Sequence, residues 1–191
     1  VYKRQVSSGH TSSDLDYMAT TSLTLNSGTI KDAAGNVATL TLASPAATYS
    51  LGANKAIVID GSVPTITAIN SSTANGTYSE GDTIAINIIF SESVTVNSAL
   101  FEDDGRGRPR LTLETGLYDQ KINYSSGSPN DTLTWSYVVA AGNNSLDLDV
   151  LSTSALSLNG GTIKDLGTST VSTITNSSAI GTAAGTVTVV T

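Results

Sequence analysis

The chain is written in short runs of alternating apolar and polar positions. In DTIAINIIF (82–90), Ile84, Ile86, Ile88 and Phe90 share one side, and Thr83, Ala85 and Asn87 share the other. DTLTWSYVV (131–139) groups Leu133, Trp135, Tyr137 and Val139 opposite Thr132, Thr134 and Ser136. SLDLDVL (145–151) turns Leu146, Leu148 and Val150 inward and Asp147 and Asp149 outward. Successive side chains of an extended chain point to opposite faces, so this pattern predicts antiparallel strands with one buried face. INYSSGSPNDTLTW predicts a hairpin that turns within 126–131. Further short strands are predicted near 64–69, 94–97, 111–114, 156–158, 170–175 and 186–190. No long window repeats at helical spacing. The expected fold class is all-β, an antiparallel two-layer sandwich, with Trp135 as a core anchor because it alternates in phase with Leu133 and Tyr137. A β-solenoid is the runner-up.

The pattern also recurs. VSSGHTSSDLDYMATTSLTLNSGTIKD, starting at Val6, aligns without a gap on VAAGNNSLDLDVLSTSALSLNGGTIKD, starting at Val139, an offset of 139 − 6 = 133 with 15 of 27 positions identical. A period of that length is a whole domain, since solenoid coils repeat every 20–50 residues or so. Beyond this block, KAIVID (55–60) corresponds to TVTVVT (186–191). The predicted organisation is the C-terminal part of one repeat over 6–60 and a complete repeat over 61–191, with the seam near Gly61 and Pro64, where strand pairing breaks. The agreement begins just after VYKRQ (1–5). That stretch resembles the translated end of a transposase adapter used in sequencing libraries, and it is left out of the functional reasoning. The 6–60 stretch cannot complete a sandwich, so its strand edges are exposed to pairing. With Met18 as the only methionine, the sequence reads as an excerpt of a longer chain.

Composition narrows the function. Sixteen acidic groups against nine basic ones give a net charge of −7. Nucleic-acid binding needs clustered Lys and Arg to displace counterions, and anionic membranes need the same. Neither partner is expected. Without cysteine there are no disulfides or thiolate metal sites. No apolar run reaches the length of a membrane helix, so membrane insertion is not expected. Acidic, oxygen-rich surfaces suit hard cations such as calcium.

Five stretches carry a family likeness. IKDAAGNVATLTL holds a D-x-x-G-N turn; VIDGSVPTITAINSSTANGTYSEGDTIAINIIFSESVTV holds a linker, a strand, G-D-x-I and F-S-E; and RLTLETG, INYSSGS and TLTWSYVV follow. Together they resemble the bacterial Ig-like β-sandwich repeats of large extracellular adhesins and surface proteins. The likeness covers nearly everything after Gln5. It implies an extracellular or cell-surface location in a bacterium and a place among neighbouring repeats, for which a spacer role is expected; no enzymatic activity is expected, because the residues carry no catalytic constellation. SALFEDDGRGRPR (98–110) departs from it, being longer than the usual turn.

Candidate chemistry follows the acids. Asp14 and Asp16, and their counterparts Asp147 and Asp149, sit two apart on predicted strands, which places each pair on one face about 7 Å apart. Calcium between them would relieve the repulsion and stiffen the joint between repeats. Asp60, at the seam, is a further candidate ligand. Asp32 and Asp165 are expected to open Asx turns. Glu102, Asp103 and Asp104 lack the alternating spacing of an EF-hand and are read as a charged loop neutralised by Arg106, Arg108 and Arg110. GRGRP lacks the context of a phosphate loop, and His10 has no second His or Cys to complete a transition-metal site. Glu80, Glu92 and Glu114 include no pair marked as glycosidase acids, and there is no G-x-S-x-G elbow. The asparagines of N-x-S/T triplets, such as Asn70 and Asn123, would matter only in a eukaryotic secretory route. The competing functions are a glycan- or host-protein-binding module using the 98–110 loop with Tyr118 and Tyr124, and an accessory domain of a secreted polysaccharide-acting enzyme.

Overall fold

A computed structural model describes residues 3–97, 106–166 and 187–190. The chain forms two compact units, Val1–Ser62 and Val63–Thr191. In the first, β1 (Thr11–Ser12) pairs antiparallel with β2 (Ile59–Asp60), and a single helical turn, α1 (Leu51–Asn54), lies between them in sequence. The Ser50 side chain caps α1 by accepting from the Ala53 N–H at 3.1 Å. Among the described residues, no apolar side chain of this unit is fully buried.

The second unit contains β3 (Ile66–Ser71), β4 (Gly76–Tyr78), β5 (Thr83–Val96), β6 (Arg110–Glu114), β7 (Gln120–Ser126), β8 (Asn130–Val138), β9 (Asp149–Val150), β10 (Leu156–Ser157), β11 (Ile163–Asp165) and β12 (Val187–Val189). Two antiparallel layers share β7. Its first half pairs with β6, which also carries β9 and β10; its second half pairs with β8, which continues to β5, flanked by β3 and β11. Only β12 and β4 run parallel among the described strands. The chain is therefore all-β and sandwich-like.

Alternation fills the core. Ile84, Ile86, Ile88 and Phe90 of β5 and Leu133, Trp135 and Tyr137 of β8 are all buried, as their period-two spacing predicts. Each such side chain withdrawn from water contributes roughly 1.5–3 kcal/mol. Trp135 is fully buried, packs edge-on against Tyr124 with ring centroids 5.6 Å apart, and donates its indole N–H to the Pro109 carbonyl at 3.1 Å. That same carbonyl accepts from the Tyr124 N–H at 2.7 Å. The strand predicted at 94–97 is instead the continuation of β5, and the one predicted at 170–175 lies outside the described residues. Leu146, expected to point inward, is 80 % exposed. The chain bends at Leu146 and Asp147, so alternation holds only from Leu148, which packs against the core, to the buried Val150.

The sequence repeat is repeated in turn geometry. The His10 N–H donates to the Ser7 carbonyl, as the Asn143 N–H does to Ala140; Ser22 donates to Ala19 as Ala155 does to Ser152; Gly28 donates to Leu25 as Gly161 does to Leu158. Gly9 and Gly142 have φ of 80° and 83°, Asn26 and Asn159 have 43° and 49°, and Ser27 and Gly160 have 69° and 81°. Ser12 pairs with Ile59, and Ser145 bridges to Val189, one position out of step with the correspondence of 55–60 to 186–191.

Candidate functional site

The alternation of β5 is interrupted between Ile89 and Val94. Ile89 faces Thr132 and Val94 faces Asn130, so β5 carries extra residues in between. This is a bulge, a device that re-aims side chains and often lies beside functional sites. Ser91 anchors it on one side: its N–H donates to the Thr65 carbonyl at 2.8 Å, and its hydroxyl accepts from the Thr65 N–H at 3.0 Å. Ser93 anchors it on the other, accepting from the Leu166 N–H at 3.1 Å. Glu92 is held between them, half-buried. Alongside, β11 pairs Asp165 with Val94, and the Asp165 side chain is only 4 % exposed.

One carboxylate oxygen of Glu92 and one of Asp165 lie within 4.8 Å of each other. Two carboxylates this close repel unless a proton, a donor or a cation intervenes, and burial sharpens that demand. Their hard oxygens fit calcium or magnesium in preference to softer metals. Neither residue stood out for this purpose in the sequence. Glu92 belongs to the F-S-E stretch and Asp165 to a repeated I-K-D, and only the β5–β11 pairing brings them together.

Asp14, Asp16 and Asp147 depart from their expected strand positions. Asp14 and Asp16 are not on a strand, because β1 ends at Ser12. They still converge: a Cβ added to Gly52 would lie 3.0 Å from Asp16 Oδ2 and 3.4 Å from Asp14 Oδ2. Asp16 is a fastener. It accepts from the Ala46 N–H at 3.0 Å and the Tyr17 N–H at 2.9 Å. The Ala46 N–H, followed by those of Tyr17, the Ser50 hydroxyl and Gly52, holds its carboxyl below the usual aspartate value. Asp14 Oδ1 accepts a long bond, 3.4 Å, from the Ile57 N–H. Asp60, at the end of β2, accepts from the Ser62 N–H at 3.0 Å. In the second copy, Asp149 lies in β9 and accepts from the Val150 N–H at 2.7 Å, matching Asp16 on Tyr17. Asp147 is exposed in a bend, not on a strand.

Asp32 does open an Asx turn, with bonds from the Ala34 and Asn36 N–H groups at 2.9 and 2.8 Å. Its counterpart Asp165 is instead a buried strand residue. His10 Nδ1 accepts from the Ser7 N–H at 3.1 Å, just as Asn143 Oδ1 accepts from the Ala140 N–H at 3.0 Å. The imidazole replaces an amide in closing a turn. Tyr124, expected at a ligand surface, is a core residue, whereas Tyr118 is exposed. Arg110 bonds Asn123 through Nε at 2.9 Å. Glu102, Asp103 and Asp104 lie outside the described residues. Glu114 accepts from the Gly116 N–H at 3.0 Å, closing the turn after β6.

No protein-family model, no curated protein and no solved structure matches the chain. Among the described residues, no helix is long and apolar enough to cross a membrane.

Proposed function

We propose that the chain is a spacer module of a large secreted or cell-surface bacterial adhesin, built from Ig-like repeats and stiffened by calcium. The observation that carries this reading is the recurrence of turn geometry between the two copies, down to matching positive-φ residues at Asn26 and Asn159. A catalytic domain seldom needs its turns written twice, whereas an extended array needs the same unit many times. Glu92 and Asp165 are the ligands favoured for calcium, because the bulge and β11 hold both carboxylates in place before any ion arrives. The ion would supply charge neutralisation and bracing of β11 on β5.

The test is thermal unfolding followed by the fluorescence of Trp135, the single tryptophan. With calcium at a hundred times its dissociation constant, linkage supplies about 2.7 kcal/mol, or roughly 8 °C. EDTA should reverse the shift, and Glu92→Gln and Asp165→Asn should each abolish it. Asp60→Asn checks the sequence-based expectation that Asp60 takes part. A shift that survives Glu92→Gln removes this metal site from the proposal. Glycan-array binding by the purified chain would replace the spacer role with that of a binding module.

A further inference from the structure

The two copies of the repeat differ sharply in what covers them. Val139 is 1 % exposed and Ile163 is 0 % exposed, but the corresponding Val6 and Ile30 are 48 % and 46 % exposed. Ala155 is buried and its counterpart Ser22 is exposed. In the second unit the covering elements are known. The backbone of Val139 is clamped by Gly81 and Asp82, β9 and β10 pair with β6, and β11 pairs with β5. All of these covering elements belong to the first half of the repeat.

The backbone of the first unit retains the edge that such a partner uses. In the second unit, the Thr162 carbonyl, Lys164 and the Leu166 N–H face β5. Their counterparts are Thr29, Lys31 and Ala33. The intervening groups, the Ile30 carbonyl and the Asp32 N–H, are already taken by Ala38 and Asn36 on the opposite side. The isolated Lys31–Val37 bridge is closed by those two bonds, so the Lys31 N–H and carbonyl are turned away from 36–38. The same unit has an open groove of about 460 Å³ lined in part by Val6, Leu15 and Ile59. An unpaired edge of this kind, with the exposed apolar side chain of Ile30 on the same stretch, is a template for an added strand.

We infer that this face of the first unit is a docking surface for the first half of a repeat of its own kind, a β-rich segment with the pattern of residues 63–138. A β5-like strand would add beside Thr29–Ala33, and its sheet would cover Val6, Ser22 and Ile30. The inference rests on the internal repeat, not on calcium or on the spacer role, so it stands or falls separately from them.

The absence of cysteine allows a direct test. Ser22→Cys is placed in the full chain, and in the same chain extended at Val6 by a second copy of 63–138; thiol labelling rates are then compared. Met18→Cys is the control, because Met18 is 95 % exposed and its counterpart Leu151 remains 48 % exposed in the covered copy. Ala155→Cys sets the rate of a covered site. The expected result is that the Ser22→Cys thiol labels at least about a hundredfold more slowly in the extended chain, towards the Ala155→Cys rate, with Met18→Cys unchanged. Equal Ser22→Cys labelling rates in the two chains would overturn the inference. So would slow labelling of the Ser22→Cys thiol in the original chain, since the face would then already be covered by something else.

Discussion

At the scale of single residues, Asp16 shows how a carboxylate can be structural without being buried deeply. It gathers the Ala46, Tyr17 and Gly52 N–H groups and the Ser50 hydroxyl, tying the irregular stretch after β1 to the segment leading into α1. Donors aimed at the charged form lower its pKa below 3.8. A depressed carboxylate pKa contributes stability above the unfolded value, and that contribution is lost as pH falls through the folded one. Asp32 behaves in the same way, chiefly through the Asn36 side chain. The first unit should therefore loosen in acid, in a window beginning near the unfolded aspartate value of 3.8 and extending below it. Chemical shifts of the Ala46 amide should titrate with a midpoint below 3.8, and Asp16→Asn should remove that titration. A midpoint at or above that value would mean the fastener is not formed.

At the scale of elements, the repeated turn at 25–28 and 158–161 offers a matched pair. The left-handed stretch that begins at Asn26 and Asn159 continues at Ser27 in one copy and at Gly160 in the other, with φ of 69° and 81°. A side chain there crowds its own backbone at a cost of roughly 1–2 kcal/mol, which glycine avoids. Ser27→Gly should stabilise the first unit by about 0.5–1 kcal/mol, and Gly160→Ser should destabilise the second by about 1 kcal/mol. Amide exchange near Lys31 and urea unfolding followed by Trp135 fluorescence measure the two effects. The sequence made such elements readable where the signal was local. Ile84 to Phe90 and Leu133 to Val139 alternate without interruption, so their strands and buried faces were legible, as was the D-x-x-G-N turn at Asp32. What the alternation hid was the bulge at Ser91–Ser93, because Val94 and Val96 keep the same parity as Phe90. The bend at Leu146 was hidden for the opposite reason: SLDLDVL alternates through a place where the strand has not yet begun. Glu92 and Asp165 were legible as acids but not as neighbours, since only the pairing of β11 with β5 joins them.

At the scale of the whole molecule, the division of burial decides how the chain unfolds. The second unit encloses one continuous core, from Ile66 on β3 through Trp135 on β8 to Val189 on β12. The first unit has nothing comparable: Ser50 is its one buried side chain among the described residues, and Val6, Leu23, Ile30, Val37 and Val58 are all substantially exposed. Hydrophobic burial is the main force opposing chain entropy, so two units with such different cores cannot share one stability. Its hydrogen-bonded turns fix local geometry, but surface turns open without disturbing a core elsewhere. Native-state amide exchange should therefore separate the units. Amides of Ile86, Ile88 and Leu133 should exchange only through global unfolding of the second unit. Those of Gly28, Asp32 and Ala38 should exchange at least about a thousandfold faster, through local opening. Low concentrations of denaturant should mark the difference, because only the first group should accelerate with the full denaturant dependence of the Trp135 transition. If both groups shared one opening free energy, the two units would be folding as one, and the exposed face of the first would have to be buried in solution.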